Sequence, residues 1–214
     1  MWQVGLDPPA ANVAALADLL SPDEHARAAR LRAAERRRRF VVARGVLRTI
    51  LGRYLGLDST TLRFDYGPHG KPTLTTAPLR FNVSHSHDLA LVAVTREREV
   101  GIDVERVRDT VEVARLAARF FSSAEQALLA ALPPADRPGA FFRLWTCKEA
   151  YLKATGEGVS RALATLDMTG PQVLVRGTVD DRFTLYGLRP DPGYAAALAV
   201  GSGATRLSGW RWPR

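Results

Sequence analysis

Apolar positions recur along the chain with two periods, 3.6 and 2, and so divide it into helices and short strands. The longest helical pattern is RRRRFVVARGVLRTILGRYLG, Arg36 to Gly56, where Phe40, Ala43, Leu47, Ile50 and Tyr54 predict one apolar stripe. A shorter helix ahead of it opens at Ser21-Pro22-Asp23-Glu24 and reaches about Leu31. Its signals are a capping Ser, Pro at the first helical position and acids in the first turn. Residues 1–20 predict a strand and a helix, broken at Asp7-Pro8-Pro9. In the second half, residues 111–132 read as helical with an interruption at Phe121–Glu125, where Ser122 caps a new helix and Glu125 completes a capping box. After the loop Pro133–Gly139 comes FFRLWTCKEAYLKATGEG, Phe141 to Gly158, an amphipathic helix with a loop after it.

The strand patterns are short. Leu62–Tyr66 is followed by a breaker-rich turn, Gly67–Pro72, and Phe81–Val83 leads through a polar tip, Ser84–Asp88, into a return strand, Leu89–Val94. Val100–Glu105 alternates, with Asp103 and Glu105 on one face and Ile102 and Val104 on the other. Gln172–Arg176, Phe183–Leu188 and Ala195–Val200 complete the set, the last after the turn Asp191-Pro192-Gly193-Tyr194. From Gly201 the chain is rich in Gly, Ser and Arg, holds Trp210 and Trp212, and has no pattern that places it. Arg39–Gly52 aligns without gaps on Arg143–Gly156, and each of these helices is accompanied by short strands. The expectation is an α+β fold of two similar subdomains, 1–97 and 98–214, with a cleft between them.

The 214 residues suffice for a substantial core. No apolar run is long enough to span a bilayer, and no basic segment precedes an apolar one at the start, so a cytoplasmic protein without membrane association is expected. Cys147 is alone, which excludes an internal disulfide, and its apolar helix face predicts packing. The net charge of +8 points to anionic partners. Nucleic acid is not expected among them, because no reader motif or basic–aromatic interleaving is present. There are three lysines, Lys71, Lys148 and Lys153, in a chain that otherwise uses Arg. Such positions suit a compact ammonium better than a planar guanidinium.

Trp145, Glu149 and Lys153 stand at i, i+4 and i+8 on one stripe of the 141–158 helix, opposite Leu144, Cys147, Tyr151 and Ala154. By itself the Glu149/Lys153 pair equally describes an exposed ion pair worth ~0.2–0.5 kcal/mol. Asp103 and Glu105, with Glu149 as a third carboxylate, offer oxygen donors suited to Mg²⁺ with open positions. Zinc is not expected, since Cys147 has no paired ligands and His85 and His87 lie in no familiar spacing. Ser84 and His85, adjacent at a strand end, point to opposite faces and fit hydrogen bonding to an anion better than a nucleophilic dyad. Gly70-Lys71-Pro72 presents an ammonium, and Arg44 with Arg48 forms a guanidinium stripe. Together these describe a polyanion site with a metal, that is, phosphate chemistry.

FNVSHS (Phe81–Ser86), GIDVE (Gly101–Glu105), FFSSAE (Phe120–Glu125) and WTCKEAYLKATGEG (Trp145–Gly158), in this order and spacing, resemble the motif set of the Sfp-type 4'-phosphopantetheinyl transferases. GKP at Gly70–Pro72 and the terminal DPGY are similar as well, so the resemblance spans nearly the whole chain. It implies two α+β subdomains related by pseudo-twofold symmetry, a monomer, coenzyme A as donor, and an apo acyl or peptidyl carrier protein as acceptor. The carrier serine would attack the β-phosphate and 3',5'-ADP would leave, with Mg²⁺, or Mn²⁺ in its place, bridging the diphosphate. By motif, Asp103, Glu105 and Glu149 become metal ligands, Glu149 also the general base, and Lys153 the clamp on a diphosphate oxygen. Arg44, Lys71, Ser84 and His85 become nucleotide and phosphate ligands; Lys148, about 100° around the helix from Glu149, stays outside the set. The family's early basic residues for the 3'-phosphate are poorly matched: Glu24 falls there, and Arg27 or Arg30 is expected to substitute. A non-catalytic module binding coenzyme A or a carrier on the same fold is the alternative expectation.

Overall fold

The computed structural model describes residues 1–67, 70–74, 79–157 and 163–213. Pro68 and His69 of the expected turn, and Gly158 of the expected helix–loop stretch, lie outside the described residues. The first half runs β1 (Trp2–Gly5), α1 (Ala10–Ala17), α2 (Pro22–Ala29), α3 (Ala34–Leu55), β2 (Phe64–Tyr66), β3 (Pro72–Leu74), β4 (Arg80–Ser86) and β5 (Leu89–Thr95). The second runs β6 (Val100–Arg106), α4 (Val113–Phe120), α5 (Ser123–Ala131), α6 (Arg137–Thr155), β7 (Leu166–Asp167), β8 (Val173–Val175), β9 (Thr178–Asp180), β10 (Phe183–Leu188), β11 (Tyr194–Gly201) and β12 (Trp210–Arg211).

One sheet has the order β12-β1-β5-β4 and another β10-β11-β6, with small sheets β2-β3 and β7-β8-β9 beside them. Alternation decides which face each strand shows. On β11, Ala196, Leu198 and Val200 pack with Leu89, Leu91, Ile102 and Val104 between the two larger sheets. The intervening Ala197 and Ala199 pack under Ala150 and Ala154 of α6. The edges of β4 and β6 are stitched by side chains. Asn82 Oδ1 accepts from Ile102 N (2.8 Å), Ser84 Oγ from Val104 N (3.3 Å) and Ser86 Oγ from Arg106 N (3.2 Å). The two strands therefore run parallel in constant register, joined at every second residue. The expected polar tip at Ser84–Asp88 is corrected accordingly. β4 continues to Ser86, and only His87 and Asp88 turn, His87 with φ 53°.

Each half repeats one device. Glu24 closes the capping box at the start of α2, its Oε2 accepting Ser21 N at 3.0 Å. The same oxygen meets Arg48 Nε of α3 at 2.6 Å, and Arg48 Nη1 donates to the carbonyls of Ser59 and Leu62. In the second half Glu125 caps α5 through Ser122 N and pairs at 2.6 Å with Lys148 Nζ of α6, which donates to the carbonyls of Leu163 and Leu166. Both long helices end on a left-handed glycine, Gly56 (φ 67°) and Gly156 (φ 77°). The internal echo is real but its register shifts. The sequence alignment sets Gly52 on Gly156, whereas the device sets Gly56 on Gly156 and Arg48 on Lys148. A slip of four residues returns a helix to nearly the same face, so the apolar stripe cannot detect it.

Two helix expectations change. In α3 the buried apolar residues are Val42, Val46, Leu47, Ile50 and Leu51, while Tyr54 is exposed and accepts from Trp2 Nε1. In α6 burial extends around the helix, because β6, β11 and β10 cover one side and α4, α5 and the β7–β8 region the other. It is therefore not amphipathic in the expected sense. Trp145 stacks on Phe141 and meets Phe120 edge-on, forming a packing wall. The basic run is anchored locally, with Arg38 and Arg39 both on Asp7. The tail crosses back to the first half. Trp210 and Arg211 pair in parallel with Trp2 and Gln3, the terminal amine donates to Ser208 O, and Trp2 stacks on Trp210.

Gly101 lets α6 lie close on β6. A Cβ there would overlap the Ala150 carbonyl oxygen and approach the Ala154 nitrogen to 2.5 Å. Both are helix backbone, so no rotamer change relieves the overlap. Gly101→Ala is expected to destabilise by the upper end of the ~1–3 kcal/mol typical of overpacking, or more. A urea midpoint unchanged from the parent protein would show that α6 can retreat freely.

Candidate active site

The strand β6 carries Asp103 and Glu105 on the face toward α6, and α6 brings Glu149 and Lys153 down onto them because the Gly101 contact sets the helix close. Asp103 Oδ1 accepts from Ser84 Oγ at 2.8 Å and from Lys153 Nζ at 2.7 Å. Asp103 Oδ2 is buried without a hydrogen-bond partner. Glu105 Oε2 accepts from Ser86 Oγ at 2.9 Å. Lys153 Nζ also reaches Ser84 Oγ (3.1 Å) and Ile102 O (3.2 Å).

The electrostatics follow from three carboxyl groups sharing one ammonium. Burial, and then repulsion from Asp103 and Glu105 against attraction by Lys153, push the Glu149 carboxyl up to about 7. Glu105 is also raised, chiefly by burial, with Ser86 pulling the other way. His85 reaches the surface, yet desolvation by its surroundings, then the Lys153 and Arg27 charges, lower its basicity. A buried orphan oxygen and two carboxyls held above their ordinary range together mark a place deficient in positive charge.

The structure thus brings Ser84, Asp103, Glu105, Glu149 and Lys153 into one cluster, with His85 at its rim. Arg44 pairs with residues of the first half. Its Nε lies 3.0 Å from Glu24 Oε1, it donates to the Tyr66 hydroxyl, and its guanidinium lies over Phe64 and Tyr66. Both guanidinium groups of the Arg44/Arg48 stripe pair with Glu24, and Arg48 is fully buried there. Lys71 donates to Lys153 O (2.7 Å) and Val100 O (3.3 Å), so its ammonium meets a carbonyl in the last turn of α6. Beside it a cleft of ≈ 450 Å³ opens between Lys71, Phe81, Ala154, Gly156, Arg182 and Phe183. The three carboxylates are not part of its lining. Arg27 was one of two expected substitutes for the early basic residues. Its guanidinium lies over Phe40 and Tyr66, and its charge acts on His85.

Among the described residues, no three His, Cys, Asp or Glu side chains already converge as a metal cage. Lys153 stands among the carboxylates instead. The donor set nevertheless fits a hard divalent cation: three carboxylates, one with an oxygen that nothing else satisfies. Two residues of this neighbourhood escaped the sequence reading, Asn82 and Ser86. Their signal was available as period-2 polar positions in FNVSHS, and reading Ser84–Asp88 as a turn concealed it.

A family model for the 4'-phosphopantetheinyl transferase superfamily matches residues 99–200, and one for the 4'-phosphopantetheinyl transferase N-terminal region matches residues 5–97. The chain is 42% identical over 216 residues to the 4'-phosphopantetheinyl transferase HetI of Nostoc sp., covering 99% of this chain and 91% of that one. It is 30% identical over 146 residues to Sfp of Bacillus subtilis, covering 67% and 63%, and 40% identical over 110 residues to AcpT of Salmonella typhimurium, covering 51% and 57%. The chain belongs to the 4'-phosphopantetheinyl transferase superfamily and has its α+β fold. It is an enzyme of that class, transferring the phosphopantetheine arm of coenzyme A to carrier proteins, and the non-catalytic alternative is not favoured. No helix among the described residues is long and apolar enough to cross a membrane.

Proposed function

We propose that this enzyme loads acyl or peptidyl carrier proteins of fatty-acid, polyketide or nonribosomal-peptide synthesis, as a cytoplasmic monomer dependent on Mg²⁺, with Mn²⁺ as a substitute. The observation that carries the metal reading is the buried, unsatisfied Asp103 Oδ2 amid three carboxylates. Asp103, Glu105 and Glu149 would hold the ion. When bound, it supplies positive charge to the diphosphate oxygens of coenzyme A.

The chain's own residues do the rest. Glu149 takes the proton from the carrier serine hydroxyl. The serine oxygen bonds to the β-phosphorus, the bond to the bridging oxygen breaks, and 3',5'-ADP leaves. Lys153, released from Asp103, offsets the charge that grows on that oxygen. His85 and Arg27 at the rim receive phosphate groups of the nucleotide. Lys71 supports this end of the site by holding the last turn of α6, and the cleft beside it suits the remainder of the donor. In this reading residues 1–97 contribute to donor binding and 98–214 carry metal and catalysis, with β12 returned to the first sheet as a strap. The charge of +8 steers an acidic carrier surface toward the site and raises the association rate more than the affinity.

The test is to incubate purified protein with Mg²⁺, coenzyme A and a panel of apo carrier proteins and to weigh the carriers. Gain of one phosphopantetheine group, dependent on the cation, is the expected result. No mass change on acyl or peptidyl carriers, or full transfer in EDTA, would count against this reading.

A further inference from the structure

The two hydroxyls of β4 stand in the same relation to β6. Ser84 Oγ accepts Val104 N and donates to Asp103 Oδ1; Ser86 Oγ accepts Arg106 N and donates to Glu105 Oε2. A hydroxyl has one proton and two lone pairs. In each case the backbone N–H holds the oxygen and the carboxylate takes the proton, so the hydroxyl rotor is fixed and one carboxylate oxygen is tied. The other oxygen is left over, and for Asp103 it is the buried one without a hydrogen-bond partner. Ser84 has a third contact, Lys153 Nζ.

We propose that Ser86, and Ser84 in the same manner, are positioning residues. They anchor the seam between the two sheets and aim the Glu105 and Asp103 carboxylates at a divalent cation. The proposal rests on the metal reading given above. It assigns Ser86 a part in the reaction although the side chain touches no reacting atom. The geometry also explains why these positions alternate with the hydrophobic Phe81 and Val83. One face of β4 packs on the core of the first half, and the other writes the orientation of the second half's carboxylates.

Ser86 is the better test site, because its side chain is only half-buried and its backbone partner, Arg106 N, lies near solvent. Thr keeps the hydroxyl, and Val has the same shape without it. Full-length protein with coenzyme A would be titrated with Mn²⁺ and bound metal read by electron paramagnetic resonance. Coenzyme A affinity would be measured separately in EDTA. Removing an outer partner of a ligating carboxylate typically weakens metal binding ~10–100-fold, and that loss is expected of Ser86→Val, with Ser86→Thr near the parent value. Without metal, Ser86→Val should melt slightly below Ser86→Thr, by the loss of hydrogen bonds that water can partly replace at this half-buried position, and the affinity of both for coenzyme A in EDTA should be unchanged. Parent-like Mn²⁺ affinity in Ser86→Val overturns the proposal while leaving the metal reading intact. So does a loss of coenzyme A affinity in EDTA without a loss of metal affinity, which would make Ser86 a donor ligand. A parent protein that binds no Mn²⁺ with coenzyme A present overturns the metal reading itself and this inference with it.

Discussion

Glu149→Gln is expected to lower kcat by roughly 10²–10⁴, the range associated with losing a positioned proton acceptor. The amide keeps the shape of the side chain and can still lie beside Asp103 and Glu105, but it cannot accept the serine proton. The fold should not suffer. Glu149 is buried against two other carboxyl groups, and the same surroundings that raise it to about 7 make its ionised form unfavourable in the folded protein. Replacing it with a neutral group removes that repulsion, so the thermal midpoint without metal should be equal to or above that of the parent. Single-turnover mass spectrometry on a carrier gives the rate and calorimetry the midpoint. Rates within a few-fold of the parent would remove Glu149 from proton transfer, whereas a lowered midpoint would make the rate loss uninterpretable as chemistry. The contrast with Lys153 is useful here: its ammonium is the cation closest to Asp103, so changing it should cost both stability and rate.

The second large effect is on stability. Lys148→Met is expected to destabilise the protein by about 3–5 kcal/mol, the usual consequence of removing one partner from a buried ion pair. Lys148 and Glu125 are both fully buried, 2.6 Å apart, and the ammonium also serves the carbonyls of Leu163 and Leu166. Met fills the same space but leaves the Glu125 carboxylate with Ser122 N and Met168 N as its remaining partners. Adding Glu125→Gln should recover part of the loss, because the uncompensated charge is then gone. The two carbonyls stay unsatisfied, so recovery is incomplete. Urea midpoints for the two single variants and the double variant give the coupling directly. If the double variant falls by the sum of the singles, the pair does not act as a unit. Lys148 neighbours Glu149 in sequence yet faces away from it. Its work is to pin the segment after α6 against the start of α5, as Arg48 does for the segment after α3.

That repeated device shows how much of the fold was legible in the sequence. The capping boxes at Ser21 and Ser122, the helix-ending glycines and the alternating strands are local, and period and turn chemistry reveal them directly. The likeness of the two halves was also visible, though in the wrong register by one helical turn, because a slip of four residues changes an apolar stripe very little. What escaped was the exposure of whole helix faces. α6 reads as amphipathic, but it lies between a sheet and two helices, so Glu149 and Lys148 are buried on different sides of it. The polar residues of such a sandwiched helix are satisfied by partners distant in sequence, as Lys148 is by Glu125. Nothing local distinguishes that arrangement from a solvated face.

For the candidate site the division is similar. The residue types and their order identified the family and the cluster of Asp103, Glu105, Glu149 and Lys153, because carboxylates alternating on a strand and a charged pair one helical turn apart are local patterns. The ordered motifs carried the class of chemistry through the family they resemble, while the surplus of positive charge pointed only to anionic partners. Tertiary structure alone decided the partners. It set Arg44 and Arg48 on Glu24, and Lys71 on the last turn of α6. It also carried the unplaced tail across to β1, and turned Ser84 and Ser86 toward the carboxylates of β6. The physical reason is common to all of these. A charged or hydroxyl group states what it can bond to, while the choice among donors and acceptors depends on which of them the packed chain brings within about 3 Å, the reach of a hydrogen bond.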